Sequence, residues 1–206
     1  MICLIAMSVM SAMAQIDGGR SKSVTMFPNY VPATITLTSG GLNHQKQANI
    51  FLKNGSLIYM KGSTVMEANM DVIKSVKFGD RNFIKMNKEL VEVIDSIGPN
   101  LLVLSRIINQ EDLKHEMLNS STITNINIGD QLGVTRLDAN ADQLVYPVDE
   151  TYYFIIGKKH IAARDREARV AAGRKRVDAF DSIVRSYGFS WKDKEYLMKI
   201  LEVLSR

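Results

Sequence analysis

Between Ala33 and about Gly157 the apolar residues come in short strand-like runs, and from Ile161 onward they recur at three- and four-residue steps. This switch of period constrains the fold more than any other feature, because a two-residue repeat buries one face of a sheet and a 3.6-residue repeat one stripe of a helix. Thr34–Thr38 alternates cleanly and is β-branched, as a half-buried strand requires. Asn49–Lys53 and Ser56–Lys61 flank Asn54-Gly55, the pair favoured in a type I′ hairpin turn because both of its central positions need positive φ. Further strands are predicted at Val72–Phe78, Asn82–Met86, Leu90–Ile94, Leu101–Ile107 and Thr151–Ile156, with turns at Gly79-Asp80 and Gly98-Pro99-Asn100. Strands that follow one another without helices between them imply an antiparallel β meander, either a curled sheet or a small open barrel. One or two helical turns are expected at Glu111–Leu118, and long loops over 119–142.

In the tail, Val177, Phe180, Ile183, Val184 and Tyr187 form one apolar stripe, with Gly188 placed to end that helix. Ser190 and Asp193 resemble a capping box that opens a second helix, whose buried face is Leu197, Ile200, Leu201 and Leu204. Trp191 falls at its first position and is expected to cover the joint. The fold class is therefore α+β: a β meander followed by a C-terminal helical pair. The expected divisions are a signal segment over 1–14, an extended segment over 15–32, a β-rich domain over 33–157, and a basic segment with the helical pair over 158–206.

The opening MICLIAMSVMSAMAQ is uncharged and apolar and closes on Ala12-Met13-Ala14, a small-x-small site of the signal-peptidase kind. It lacks the usual basic start, since the first cation is Arg20. It is also shorter than the roughly 20 apolar residues that a spanning helix needs. Export with cleavage near Ala14-Gln15, to the periplasm or cell surface, is expected. Cys3 is the sole cysteine and sits inside this leader, so the mature chain would hold no disulfide. No later stretch suits a transmembrane helix.

The residues Pro32–Leu37, Phe51–Leu57, Ile73–Asp80, Tyr152–Ile156, Phe180 and Phe189–Lys192 through Leu204 carry a resemblance. In this pattern the chain resembles uncharacterised exported β-rich proteins of Bacteroidota, which have a signal peptide, a small β domain and a helical tail. The resemblance lies in hydrophobic pattern and implies location and architecture, with no activity attached.

Net charge is +4, yet Lys158–Arg176 holds eight Lys or Arg against Asp165 and Glu167. Within it Arg164, Arg166, Arg169, Arg174, Lys175 and Arg176 are the candidate anion-binding residues, with Arg166, Arg169 and Arg176 expected near one helical face. A solvated helix with no ligand is the competing reading of such a run. No aromatic interleaves these cations, so nucleic acid is not an expected partner; lipopolysaccharide or phospholipid head groups are the plausible anions.

Glu111, His115 and Glu116 offer metal-ligand spacing on one helix, but His44 and His160 are distant in sequence and no HExxH pattern is present. Asp138, Asn140 and Asp142 lack the glycine and the terminal glutamate of a calcium loop. Gly129–Gly133 lacks the Lys-Ser/Thr of a phosphate loop, and no nucleophile elbow occurs. No catalytic residue, metal or cofactor is assigned. The chain reads first as an exported non-enzymatic module that binds a protein or envelope partner. The alternatives are a periplasmic hydrolase acting on glycan or peptide, and a peripheral binder of anionic lipid through 158–176.

Overall fold

The computed structural model describes residues 16–17, 19–119 and 145–206. The expected signal segment, the Gly129–Gly133 run and the Asp138, Asn140 and Asp142 cluster lie outside the described residues, as does nearly all of the loop expected over 119–142. Along the chain the elements are β1 (Ile16–Asp17), β2 (Arg20–Ser21), β3 (Val31–Leu37), β4 (Leu42–Phe51), β5 (Ser56–Lys61) and β6 (Thr64–Glu67). A single 3-10 turn, Met70–Val72, leads into β7 (Ile73–Phe78), β8 (Arg81–Met86), β9 (Glu89–Ile97), β10 (Asn100–Ile108) and α1 (Gln110–Asn119). Then come β11 (Tyr146–Ile156), β12 (Lys159–Ala162), α2 (Asp165–Val184) and α3 (Lys194–Ser205).

The architecture is α+β, as the switch of period implies: a curled antiparallel sheet with two helices at the C-terminal end. Its order is β1-β2-β11-β10-β9-β8-β7-β3-β4-β5-β6, with β12 hydrogen-bonded to β11. Two meanders share β3, one running out to β6 and the other through β7 to β11. The curl is closed by main-chain bonds from the β4–β5 tip to the far side of the sheet. Leu90 N donates to Gly55 O and Ile108 N to Leu52 O, both at 2.8 Å.

The Asn54-Gly55 hairpin forms, but its turn is not type I′. Phe51 pairs with Ser56 across a four-residue loop in which Gly55 has positive φ and Asn54 does not. Asn54 instead accepts from Ser56 N through Oδ1 (3.1 Å), and Gly55 N donates to Phe51 O (2.8 Å). The approach of β9 also requires glycine here: a Cβ on Gly55 would stand 2.6 Å from Glu89 Cβ.

Packing follows the strand alternation. Phe27, Phe78 and Phe83 meet with ring centroids 4.9, 6.3 and 5.7 Å apart inside the curl, around Ile50, Leu57 and Ile58. On β10 and β11, Leu102 and Phe154 face the helices while Val103 and Ile155 face the other way. Residues Val24–Phe27 precede any predicted strand yet lie buried in the core. Asn49, itself buried, holds them: its Oδ1 accepts from Phe27 N (3.0 Å) and its Nδ2 donates to Phe27 O (2.9 Å) and Asn29 O (3.1 Å).

The tail differs in detail from its periodicity. α2 ends at Val184 with Arg185 as its cap, so Gly188 lies beyond the helix and Tyr187 is fully exposed instead of in the stripe. α3 is capped by Asp193, whose carboxylate accepts from Glu195 N (2.8 Å). Ser190 closes only the turn before it, accepting from Lys192 N (3.2 Å). Trp191 therefore precedes the helix, and it does cover the joint, 5.0 Å from Phe189 and 6.3 Å from Phe180 by ring centroid. Asp at the cap is the better acceptor because its charge also meets the helix dipole.

Candidate functional site

The basic stretch folds into three different environments, and Gly173 is the reason. This residue, at φ 63° and ψ −178°, breaks α2 into two pieces and bends the second back toward the first. Residues 169 and 181 would be about 18 Å apart along a straight helix. Here Arg169 Nη1 lies 2.7 Å from Asp181 Oδ1, and its guanidinium sits 5.4 Å from the Phe180 ring centre. The single helical face expected for Arg166, Arg169 and Arg176 is thus not formed.

Two of the six candidate cations are occupied internally. Arg169 joins Asp181 across the kink and Asp165 within its own piece of the helix. Arg176 donates from Nε to Ala172 O (3.1 Å), from Nη2 to Ala171 O (3.3 Å), and from Nη1 to Leu204 O (2.8 Å) and Val203 O (3.4 Å). Those carbonyls close the first piece of α2 and the end of α3, where backbone acceptors are left over and the dipole favours a cation. One guanidinium caps two helix ends.

The other four are exposed and separate. Arg164 lines a small cleft with Lys192, Trp191, Tyr152, Glu150 and Asp165. Arg174 and Lys175 border a hollow at the kink. Arg166 stands on the rim of the largest depression described, an open groove of about 610 Å³ between β12 and the first piece of α2. Its apolar lining is Ile156, Ile161, Ala162, Val170, Ala171 and Leu204, and its polar lining is Lys159, His160, Arg166, Glu167 and Arg176. Val170 is 76% exposed, a large apolar side chain presented to solvent in the middle of a helix. β12 pairs only with β11 among the described strands, so its outer edge adjoins the groove unpaired.

The possible metal ligands are not brought together. Glu111 and His115 are exposed on α1, His44 on β4 contacts Thr34 Oγ1 of β3 (3.1 Å), and His160 stands at the groove. Among the described residues no group of three His, Cys, Asp or Glu could hold an ion. No described helix is long and apolar enough to cross a membrane.

One charged array escaped sequence reading. Arg81, Glu92, Arg106 and Glu150, from four adjacent strands, form a chain of ion pairs across the sheet. Arg81 Nε and Nη2 donate to the two oxygens of Glu92 at 2.6 and 2.7 Å, Arg106 Nη1 reaches Glu92 at 2.5 Å, and Arg106 Nε reaches Glu150 at 2.7 Å. Arg81 also lies over Phe27 and Phe83, 5.0 and 5.2 Å from their centres. Burial pushes the Glu92 carboxyl up, but hydrogen bonds and charge from Arg81 and Arg106 outweigh it and hold its pKa below the usual range. Glu92 is thereby kept ionised, the opposite of what a general acid needs. The one signal in the sequence is the opposite charges interrupting apolar alternation in neighbouring strands, which show only once the register is known. Glu89 has the reverse tendency: burial raises its pKa against a hydrogen bond from Ser105 Oγ (3.0 Å), and it does not line the groove.

No protein-family model, no curated protein and no solved structure matches this chain.

Proposed function

We propose that this chain is an exported, non-catalytic binding module, of the envelope type its hydrophobic pattern resembles. Its partner is an envelope protein that lays a segment of alternating acidic and apolar residues into the groove between β12 and α2. The reading rests on the chemistry of that groove: an apolar lining that includes the 76% exposed Val170, beside Lys159, His160, Arg166 and Arg176 with Glu167 as the one carboxylate. Exposed apolar area rimmed by charge is characteristic of interaction surfaces, and the positive excess selects an acidic occupant. The unpaired edge of β12 supports an extended segment over a helical one, because main-chain hydrogen bonds are available there.

A synthetic, dye-labelled peptide alternating Glu with Leu or Val tests the docking by fluorescence anisotropy. Saturable binding is expected that weakens with added salt and is lost in Val170→Asp. Absence of binding, or equal binding by Val170→Asp, would overturn the reading. Export is tested separately by intact mass of protein from its native cells, with a mature N-terminus at Gln15 expected; retention of Met1 would remove it.

A further inference from the structure

We infer that the hollow at the Gly173 kink is a second binding site, for a phosphate-bearing group, which shares with the groove only the Arg176 part of its lining. Its volume is about 460 Å³ and its lining is Ala172, Gly173, Arg174, Lys175, Arg176 and Arg206. Four of these six residues are cationic and no Asp or Glu is among them. The other depressions lack this one-sided character: the groove includes Glu167, and the cleft beside Trp191 includes Glu150 and Asp165.

Tertiary structure gathers the cluster. Arg206 lies thirty-two residues after Arg174 in the sequence and arrives because Arg176 clamps the Val203 and Leu204 carbonyls at the end of α3. Arg176 is itself committed to those carbonyls, so it acts as a fixed charge at the back of the site. Arg174 and Lys175 are exposed and have no carboxylate partner among the described residues. Arg206 is paired with Glu202 at 2.5 Å, in an i,i+4 contact whose side chains are 73% and 55% exposed, the kind of surface pair that an incoming dianion displaces readily.

Like charges held this close repel one another in the ligand-free fold, and an anion relieves that repulsion. Guanidinium forks beside an ammonium group match phosphate oxygens, with Arg offering paired N–H donors and Lys a mobile point charge. The hollow is larger than a lone tetrahedral anion fills. The occupant is therefore a phosphate attached to a larger body, either a lipid headgroup at a membrane surface or a soluble phosphate ester.

The test uses the full chain as wild type, as Arg174→Ala/Lys175→Ala, and as the groove variant Val170→Asp, each checked for native circular dichroism. One arm is co-sedimentation with vesicles of equal phosphatidylglycerol and phosphatidylcholine. The other is titration with glycerol phosphate, followed by amide NMR shifts of Ala172–Arg176. Binding is expected in at least one arm, weakened by salt, and reduced about tenfold or more in Arg174→Ala/Lys175→Ala but not in Val170→Asp. Binding to vesicles without response to glycerol phosphate assigns the headgroup; saturable shifts in the soluble arm assign the free ester. Failure of both probes, or undiminished binding by the double variant, overturns the site whether or not the groove binds peptide.

Discussion

At single residues, the polar groups that matter most are the ones tying distant backbone together. Asn49 uses its whole amide to pin Phe27 and Asn29 in the core, so Asn49→Leu strands buried main-chain groups; a loss of about 2–3 kcal/mol in urea unfolding is expected. Arg176→Met should lower stability by about 1–2 kcal/mol through two uncapped helix ends, whereas Arg174→Ala, on the surface two residues away, should stay within about 0.5 kcal/mol. Thermal melts of the two variants side by side check this contrast. Glu92 links charge to pH. Its folded pKa lies below its unfolded value, so its contribution to stability is complete above the unfolded pKa and fades as pH falls through the folded one. Wild type should therefore lose stability on acidification in a window that opens near the ordinary glutamate pKa of about 4.3 and extends below it. Glu92→Gln should cost about 3 kcal/mol at neutral pH by leaving Arg81 and Arg106 under-compensated, and should flatten that slope. Equal slopes in the two proteins would assign the acid sensitivity elsewhere.

At the scale of elements, two glycines decide how the pieces are joined. Gly55 combines φ 69° with a Cβ position 2.6 Å from Glu89 Cβ, so Gly55→Ala must both strain its own turn and push the β4–β5 tip off β9. A destabilisation of at least about 2 kcal/mol is expected, well above the roughly 1 kcal/mol that a strained φ alone costs. A measured value at or below the smaller figure would mean that the tip and β9 separate freely. Gly173 sets the direction of the second piece of α2, and through it the positions of Arg169, Arg176 and the cations of the hollow. Turning the chain there lets a short helical tail cover Leu102 and Phe154 with Phe180, Leu197, Ile200, Leu201 and Leu204.

For the molecule as a whole, β9, β10 and β11 contribute residues to the helix-covered core while the same sheet encloses the aromatic core. The ion chain from Arg81 to Glu150 ties together the strands that both share. Sheet and tail are therefore expected to unfold together. The lone tryptophan, Trp191, reports the tail by fluorescence, and far-ultraviolet dichroism reports the sheet; coincident urea transitions are the expected result. A tail that melted first would show that the cores are independent. Much of this architecture is readable from local chemistry. Alternation and turn residues mark β5 with its observed ends, Ser56–Lys61, and place β7, β8 and β10 within one residue at each end, because side-chain periodicity and glycine conformations act over a few neighbours. The helical stripe of α3 is legible for the same reason. The short strands β1, β2, β6 and β12 carry too few residues to show a period, and Val24–Phe27 is buried by contacts far away in sequence. The run of cations is plain in the chain, but its division is not: two of them cap or bridge helices, and the rest border separate depressions. Sequence by itself determined the alternating sheet, the apolar helix faces and the density of positive charge, all of them properties of near neighbours. Tertiary structure alone decided the curl, the kink and which charges stay exposed, because those depend on contacts between residues that only folding brings together.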